Sequence, residues 1–441
     1  MINTKKKLFY GLAPGLHPTR NDSIGILVGG GPAPGINGVI SSVTIEALKH
    51  GWKPLGIEEG FRWISQGNTD HVRELTIDTV SRIHYLGGSI IGTSRVNPTR
   101  DPEKMKAVLA TLRKLNLKYL VTIGGDDTAY SAYRLQAASR GLIRVAHVPK
   151  TIDNDLPLPG GDSTFGFQTA RHYGVEIIQA LMEDARTTKR WYFVVTMGRK
   201  AGHLALGIGK SAGATLTIIG EEFSSEAIHL QSLSDILEGA IIKRLAMGRE
   251  YGVAILAEGL LEKIPEEDLA RLGDIEHDTF GHIRFAELDL GSILKNQVRT
   301  SLAARGIEVT IVSKDIGYEL RCATPIPFDC EYTRDLGYAA GKFLVQGGTG
   351  AMVTRQAGKM VPIYLEDIID SATGKTRVRF VNIHTESYEV ARRYMIRIDR
   401  ADFEHEGRLQ ALAEAAGMSE EEFRERFEYL SSLSSYRPTY L

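Results

Sequence analysis

The chain is poor in cysteine, with two among 441 residues, Cys322 and Cys330. Neither stands in CxxC spacing or beside a pair of histidines, which excludes a disulfide framework and a zinc site and fits a reducing compartment. Net charge is also scarce, −1 at neutral pH. Bulk electrostatics therefore give no reason to expect nucleic acid or an anionic membrane surface as a partner, and any basic site has to be local. Long apolar runs are missing: no stretch approaches the ~20 residues a membrane-spanning helix needs. The basic segment MINTKKKLFYGLAPG lacks the apolar run of a signal peptide. The expectation is a soluble, cytoplasmic protein that binds neither nucleic acid nor membrane. Its length calls for two domains, either consecutive or interleaved.

What is present is a repeating order of buried strand, polar loop and amphipathic helix. Ile24–Gly29, Pro54–Ile57, Tyr119–Ile123 and Ile143–Val148 read as strands, with helices over 35–49 and 105–115 and after Thr128. The order restarts with strands at Trp191–Met197, Thr215–Ile219 and Gly252–Ala257, separated by helices over 201–211 and 225–247. Repeated β-then-α order implies parallel sheets with crossover helices, so an α/β fold in two lobes. Near the C-terminus, Ser419 followed by Glu422 is a capping-box signature. Phe423, Phe427 and Leu430 then form one apolar stripe, expected to pack on the body or on a second subunit.

In parallel sheets, ligands collect at the loops leaving the carboxyl ends of strands. Gly29-Gly30-Gly31-Pro32-Ala33-Pro34-Gly35 offers backbone N–H groups and a helix N-terminus to an anion, although it is neither a Walker loop nor GxGxxG. Read blandly, it is a tight turn. Gly124-Gly125-Asp126-Asp127-Thr128 sets two carboxylates side by side, which repel unless a cation resolves them; a helix N-cap explains one of them. Pro149-Lys150-Thr151-Ile152-Asp153-Asn154-Asp155 combines a cation, a hydroxyl and two carboxylates. Phosphoryl transfer to an alcohol requires that mixture of metal-bridged phosphate, cation and base, whereas a polar turn accounts only for Asp-Asn-Asp. Arg199, in Met197-Gly198-Arg199, and Glu258 follow two further strands.

The strings GGDD, PKTIDND, MGR, AEG and GYELR, in this order, resemble the phosphofructokinase family over about Ile24 to Arg334. The resemblance implies a fold of two interleaved lobes with largely parallel sheets flanked by helices. The donor lobe would span 24–165, completed by part of 326–380, and the sugar-phosphate lobe 166–325. An N-terminal extension over 1–23 and a C-terminal helical extension over 381–441 would flank them. It implies a glycolytic phosphotransferase with Asp153 as general base on the sugar 1-hydroxyl, assisted by Lys150 and Thr151, and with Asp155 orienting the site. Asp126 would hold Mg²⁺, and Gly30 and Arg95 would contact donor phosphate. Met197, Gly198, Arg199, Glu258, Tyr318 and Arg321 would bind fructose 6-phosphate. Arg190 would reach the sugar phosphate of a neighbouring subunit, implying a homodimer or homotetramer with shared sites.

Family members that use ATP typically carry glycine after the GGD aspartate, where this chain has Asp127. A carboxylate there repels a nucleotide's α-phosphate, and even ~1 kcal/mol of repulsion disfavours ATP about fivefold. Lys150, where bacterial ATP enzymes commonly have glycine, can bind a pyrophosphate oxygen instead. Pyrophosphate is thus the expected donor. The alternatives are an ATP-dependent enzyme and a silent sugar-phosphate-binding regulatory subunit, which would need neither metal ligand nor base.

Overall fold

The structure is a computed structural model that describes residues 19, 21–223, 227–270, 288–370 and 375–436; the N-terminal extension expected over 1–23 lies almost wholly outside them. Twelve strands occur among the described residues: β1 (Ser23–Val28), β2 (Lys53–Ile57), β3 (Val72–Glu74), β4 (Leu117–Gly124), β5 (Arg144–Thr151), β6 (Phe165–Gly166), β7 (Trp191–Thr196), β8 (Leu216–Ile218), β9 (Gly252–Ala257), β10 (Ile311–Ile316), β11 (Ala351–Gln356) and β12 (Lys359–Tyr364). The chain divides into two compact units. One comprises Met1–Ile152, Leu156–Thr169 and Arg321–Arg377; the other Asp153–Asp155, Ala170–Leu320 and Val378–Leu441.

The first unit is built on a sheet ordered β12-β11-β5-β4-β1-β2-β3, with β6 paired to β5. The pairs β11-β5-β4-β1-β2 are parallel, while β3 and β12 close the edges antiparallel. Side chains alternate along a strand, and β1 shows why its sequence is apolar throughout. Ile24, Ile26 and Val28 enter one cluster with Val39, Val43 and Leu336. Leu27 enters another, with Leu112 and Ala132. Both faces are covered, as parallel sheets require. On one face the helix Ile36–Lys49 lies tight against the helix Pro327–Val345. A Cβ on Gly337 would stand 2.6 Å from the Ser42 Cβ and 2.8 Å from the Val39 carbonyl oxygen, so the backbones meet only because that residue is glycine.

The second unit holds a four-stranded parallel sheet, β10-β7-β9-β8. Trp191, Phe193, Leu216, Ala254 and Leu256 join the helices Leu230–Ala246 and Leu290–Ala303 in one core. The C-terminal helices belong to that same core. Ser419 and Glu422 form the capping box of the helix Glu420–Phe427, and Phe423, Phe427 and Leu430 are buried. Arg426 donates to the buried Glu238 at 3.0 Å, and Arg305 pairs with the same carboxylate. A lone carboxylate there would be costly to desolvate, so two guanidiniums are drawn to it, one on the helix Glu420–Phe427 and one just past the helix Leu290–Ala303.

Candidate active site

In the first unit, four segments converge at the carboxyl ends of β1, β4 and β5. A parallel bridge joins Gly29 to Ser94, and the Gly30 amide donates to the Ser94 carbonyl at 2.8 Å. This bridge is what brings the exposed Arg95 beside the glycine loop. Gly30 has φ 83° and Gly35 φ 103°, left-handed values that glycine adopts without strain. Gly35 is also the N-cap of the helix Ile36–Lys49. A Cβ on Gly29 or Gly124 would overlap the Thr128 side chain, so these loops approach the next helix only as glycines.

The two aspartates are not caps. Gly125 is the N-cap of the helix Asp126–Ala138, and Asp126 and Asp127 fill its first two positions. The Asp127 amide donates to Asp126 Oδ1 at 2.8 Å, and Asn97 Nδ2 reaches Asp127 Oδ1 at 3.4 Å. The positive end of the helix dipole offsets the repulsion between the two carboxylates. The capping explanation is thereby replaced: Gly125 is the cap, and both carboxylates stand at the helix start, Asp126 half-buried and Asp127 exposed.

Lys150 lies near the end of β5, only 4% exposed, and its Nζ donates to the Gly31 carbonyl. A Cβ on Gly30 would sit 3.4 Å from that Nζ, so the ammonium lies directly under the glycine loop. The neighbouring Thr151 carbonyl accepts from Thr164 Oγ1 at 2.7 Å. Arg321, expected among the sugar-binding residues, has its guanidinium carbon 3.3 Å from where a Gly31 Cβ would be. The glycine loop is therefore flanked by two cations. Three residues before Lys150, His147 is fully buried. Burial, with Lys150 adding to it, pushes its pKa down to about 3, so it is a neutral ring, 2.9 Å from Thr122 Oγ1.

In the second unit, the residues at the carboxyl ends of β7, β9 and β10 are neighbours by register: Thr196 pairs with Ala257 and with Ile316. Met197, Glu258 and Tyr318 therefore leave the sheet at one edge. The Gly198 amide donates to Glu258 Oε2 at 3.1 Å, and Gly198 has φ 139°. The Arg199 Nε donates to Glu262 Oε1 at 2.8 Å. Tyr318 is 76% exposed. Arg190 is not brought to this edge. It precedes β7, whose six residues span ~20 Å, and its Nε lies 3.8 Å from Asp184 Oδ2.

Asp153 and Asp155 flank Asn154, which has φ 57°, a left-handed value asparagine tolerates. Arg379, which no motif or composition marks out, reaches this loop. Its amide donates to the Asp155 carbonyl at 2.7 Å and its Nε to the Asn154 carbonyl at 3.1 Å. Glycine-rich composition and paired carboxylates mark the other loops, but a lone arginine more than 200 positions downstream carries no such signal.

Together these features give a glycine loop over a buried lysine, two carboxylates on a helix start, and an arginine–glutamate edge on a second sheet. A model of the phosphofructokinase family matches residues 23–344. The chain belongs to that family. Among its relatives, the pyrophosphate–fructose 6-phosphate 1-phosphotransferase of Thermotoga maritima is 51% identical over 417 residues, covering 93% of this chain and 99% of that protein. The Naegleria fowleri protein of the same name is 48% identical over 422 residues, covering 94% and 97%. In fold, this phosphofructokinase is similar to the crystal structure of a pyrophosphate-dependent phosphofructokinase from Nitrosospira multiformis, with TM-score 0.64 at 19% identity over 85% of this chain and 90% of that one. A second such structure, from Marinobacter aquaeolei, gives TM-score 0.62 at 17% identity over 95% and 93%. Among the described residues no helix is long and apolar enough to cross a membrane.

Proposed function

We propose that this phosphofructokinase transfers a phosphoryl group reversibly from pyrophosphate to the 1-hydroxyl of fructose 6-phosphate, giving fructose 1,6-bisphosphate and phosphate. The observation that carries the donor assignment is the pairing of Asp127, on the helix start after β4, with Lys150, buried under the glycine loop. The acceptor side rests on Met197, Gly198, Arg199, Glu258 and Tyr318 at one sheet edge, and the relatives' names agree with both substrates.

Chain continuity helps the chemistry. Lys150 and Thr151 end β5, and Asp153 follows within three residues, ~11 Å of chain at most. The residues that hold the transferred phosphate and the base that accepts the proton thus share one short segment. In the reaction the sugar O1 forms a bond to phosphorus as the P–O–P bridge breaks. Asp153 takes the hydroxyl proton and phosphate departs. In reverse, Asp153 returns that proton. Lys150, Arg95 and the glycine-loop amides stabilise charge on the pyrophosphate oxygens, while Asp155 orients the acceptor loop.

Mg²⁺ fits this site as a partner of Asp126, a hard oxygen ligand half-exposed at a helix start. Among the described residues there is no group of three or more His, Cys, Asp or Glu side chains placed for a metal. The ion would accordingly take Asp126 and phosphate oxygens, as Mg²⁺ commonly does, and would supply neutralisation of the donor's charge. Arg190, at the amino end of β7, fits a role toward the sugar phosphate of a second copy, which makes a homo-oligomer part of the proposal. A cytoplasmic setting completes it.

The deciding experiment is initial rates with Mg²⁺ and fructose 6-phosphate, pyrophosphate and ATP side by side. Turnover with pyrophosphate is expected. Efficient turnover with ATP and none with pyrophosphate would overturn the donor assignment, and binding without turnover would favour a regulatory subunit.

A further inference from the structure

We infer that Arg379, which lies beyond the segment matched by the family model, is a positioning residue that holds the Asp153–Asn154–Asp155 loop in its reactive conformation. The inference rests on the reading of Asp153 as general base. Three contacts make the case. The Arg379 backbone amide donates to the Asp155 carbonyl at 2.7 Å. Its Nε donates to the Asn154 carbonyl at 3.1 Å, and a terminal guanidinium nitrogen donates to Asn154 Oδ1. One side chain thus grips both the backbone and the side chain of the residue standing between the two aspartates.

Asn154 has φ 57°, a left-handed value that asparagine tolerates, and the three contacts fix it in that one conformation. A turn of this kind sets the direction in which Asp153 leaves the backbone. The planar guanidinium fork fixes two acceptors at once, which a lysine cannot reproduce.

Arg379 is itself secured. Its carbonyl lies 3.0 Å from His203 Nε2; since a carbonyl only accepts, the ring donates. His203 opens the helix His203–Ala212, four residues after Arg199. Two residues on, the Val381 amide donates to Glu221 Oε1 at 3.0 Å, and the same oxygen accepts from the Gly202 amide at 2.9 Å. Residues 379–381 therefore tie the base-bearing loop to the start of the helix behind Arg199. This gives the C-terminal segment a chemical function beyond core packing.

The test compares Arg379→Ala, Arg379→Lys, Asn154→Gly and Asp153→Asn as full-length enzymes. Misplacing a reacting group by about an ångström costs up to ~100-fold in rate, so Arg379→Ala is expected to lower kcat roughly 10- to 100-fold while KM for pyrophosphate changes little. Arg379→Lys, which keeps charge and length, should lose nearly as much. Added guanidinium ion should restore part of the Arg379→Ala rate, without restoring Asp153→Asn. Asn154→Gly tolerates the backbone angle but loses the side-chain acceptor, and a several-fold fall in kcat is expected; it decides the matter if Arg379→Ala fails to fold. Wild-type kcat in Arg379→Lys and Asn154→Gly, with Asp153→Asn inactive, overturns the positioning role alone. Wild-type turnover by Asp153→Asn overturns the general-base reading and this inference with it.

Discussion

Replacing Asp127 with glycine should move donor choice toward ATP, and the structure sets the size of the effect. Asp127 is exposed, at the second position of its helix, so its field on a nucleotide α-phosphate acts through a wet medium. At ~5 Å the repulsion between unit charges is about 0.8 kcal/mol at the dielectric of water and about 3 kcal/mol at an effective value near 20. Its removal should therefore raise the ratio of kcat/KM for ATP to that for pyrophosphate by at least ~4-fold and up to ~300-fold. Stability should tolerate the change: a first-turn carboxylate is worth ~0.3–1 kcal/mol and glycine in a helix costs ~1 kcal/mol. Lys150 is the wrong place to test the same idea, since its buried ammonium donates to the Gly31 carbonyl, and removing it would disturb the glycine loop for both donors. The assay is initial rates with each donor at fixed Mg²⁺ and fructose 6-phosphate for the wild type and Asp127→Gly. A ratio unchanged within about twofold, below the wet-medium limit worked above, would refute the charge argument.

Asp153→Ala should lower kcat by ~100-fold or more with KM changed modestly, as expected for loss of a general base; a near-normal rate removes Asp153 from that role. Acid should destabilise the fold through two neutral histidines, His147 fully buried and His203 half-buried. Burial lowers the pKa of His203 to about 4 and that of His147 to about 3, while an unfolded histidine titrates near ~6.5. The unfolded chain then binds more protons below that pH, so the stability these groups contribute is present above it and is lost as pH falls toward 4, at up to ~1.4 kcal/mol per unit for each. Urea midpoints between pH 7 and 4.5 should fall, and less steeply in His203→Gln; an identical slope in that variant contradicts the assignment. Asp329 is buried and accepts from the Gly166 amide at 2.9 Å, the Thr169 amide at 2.8 Å and Thr169 Oγ1 at 2.6 Å. Asp329→Ala leaves these donors unsatisfied and should cost ~3 kcal/mol by chemical denaturation, with a loss under ~1 kcal/mol counting against it.

The strands that form the sheet interiors were legible in the sequence because parallel strands covered on both faces read as unbroken apolar runs; β9 falls at Gly252–Ala257 as read. The glycine loop, GGDD and TIDND were legible because few structural needs place glycines, adjacent carboxylates and a lysine at strand ends. Edge elements were not: β3 and β12 are half-exposed and antiparallel; β3 is too short and polar to read as a strand, and Pro362 inside β12 argues against one. Tertiary structure alone decided three further points. It showed Gly125 as the cap, because capping depends on backbone angles rather than on which residue type is available. It placed the Arg321 guanidinium against Gly31, since the direction of a long side chain is set by packing. It brought Arg379 onto Asn154 across 225 positions of sequence, a contact between residues whose local patterns say nothing of each other and which only the folded backbone brings within hydrogen-bonding reach.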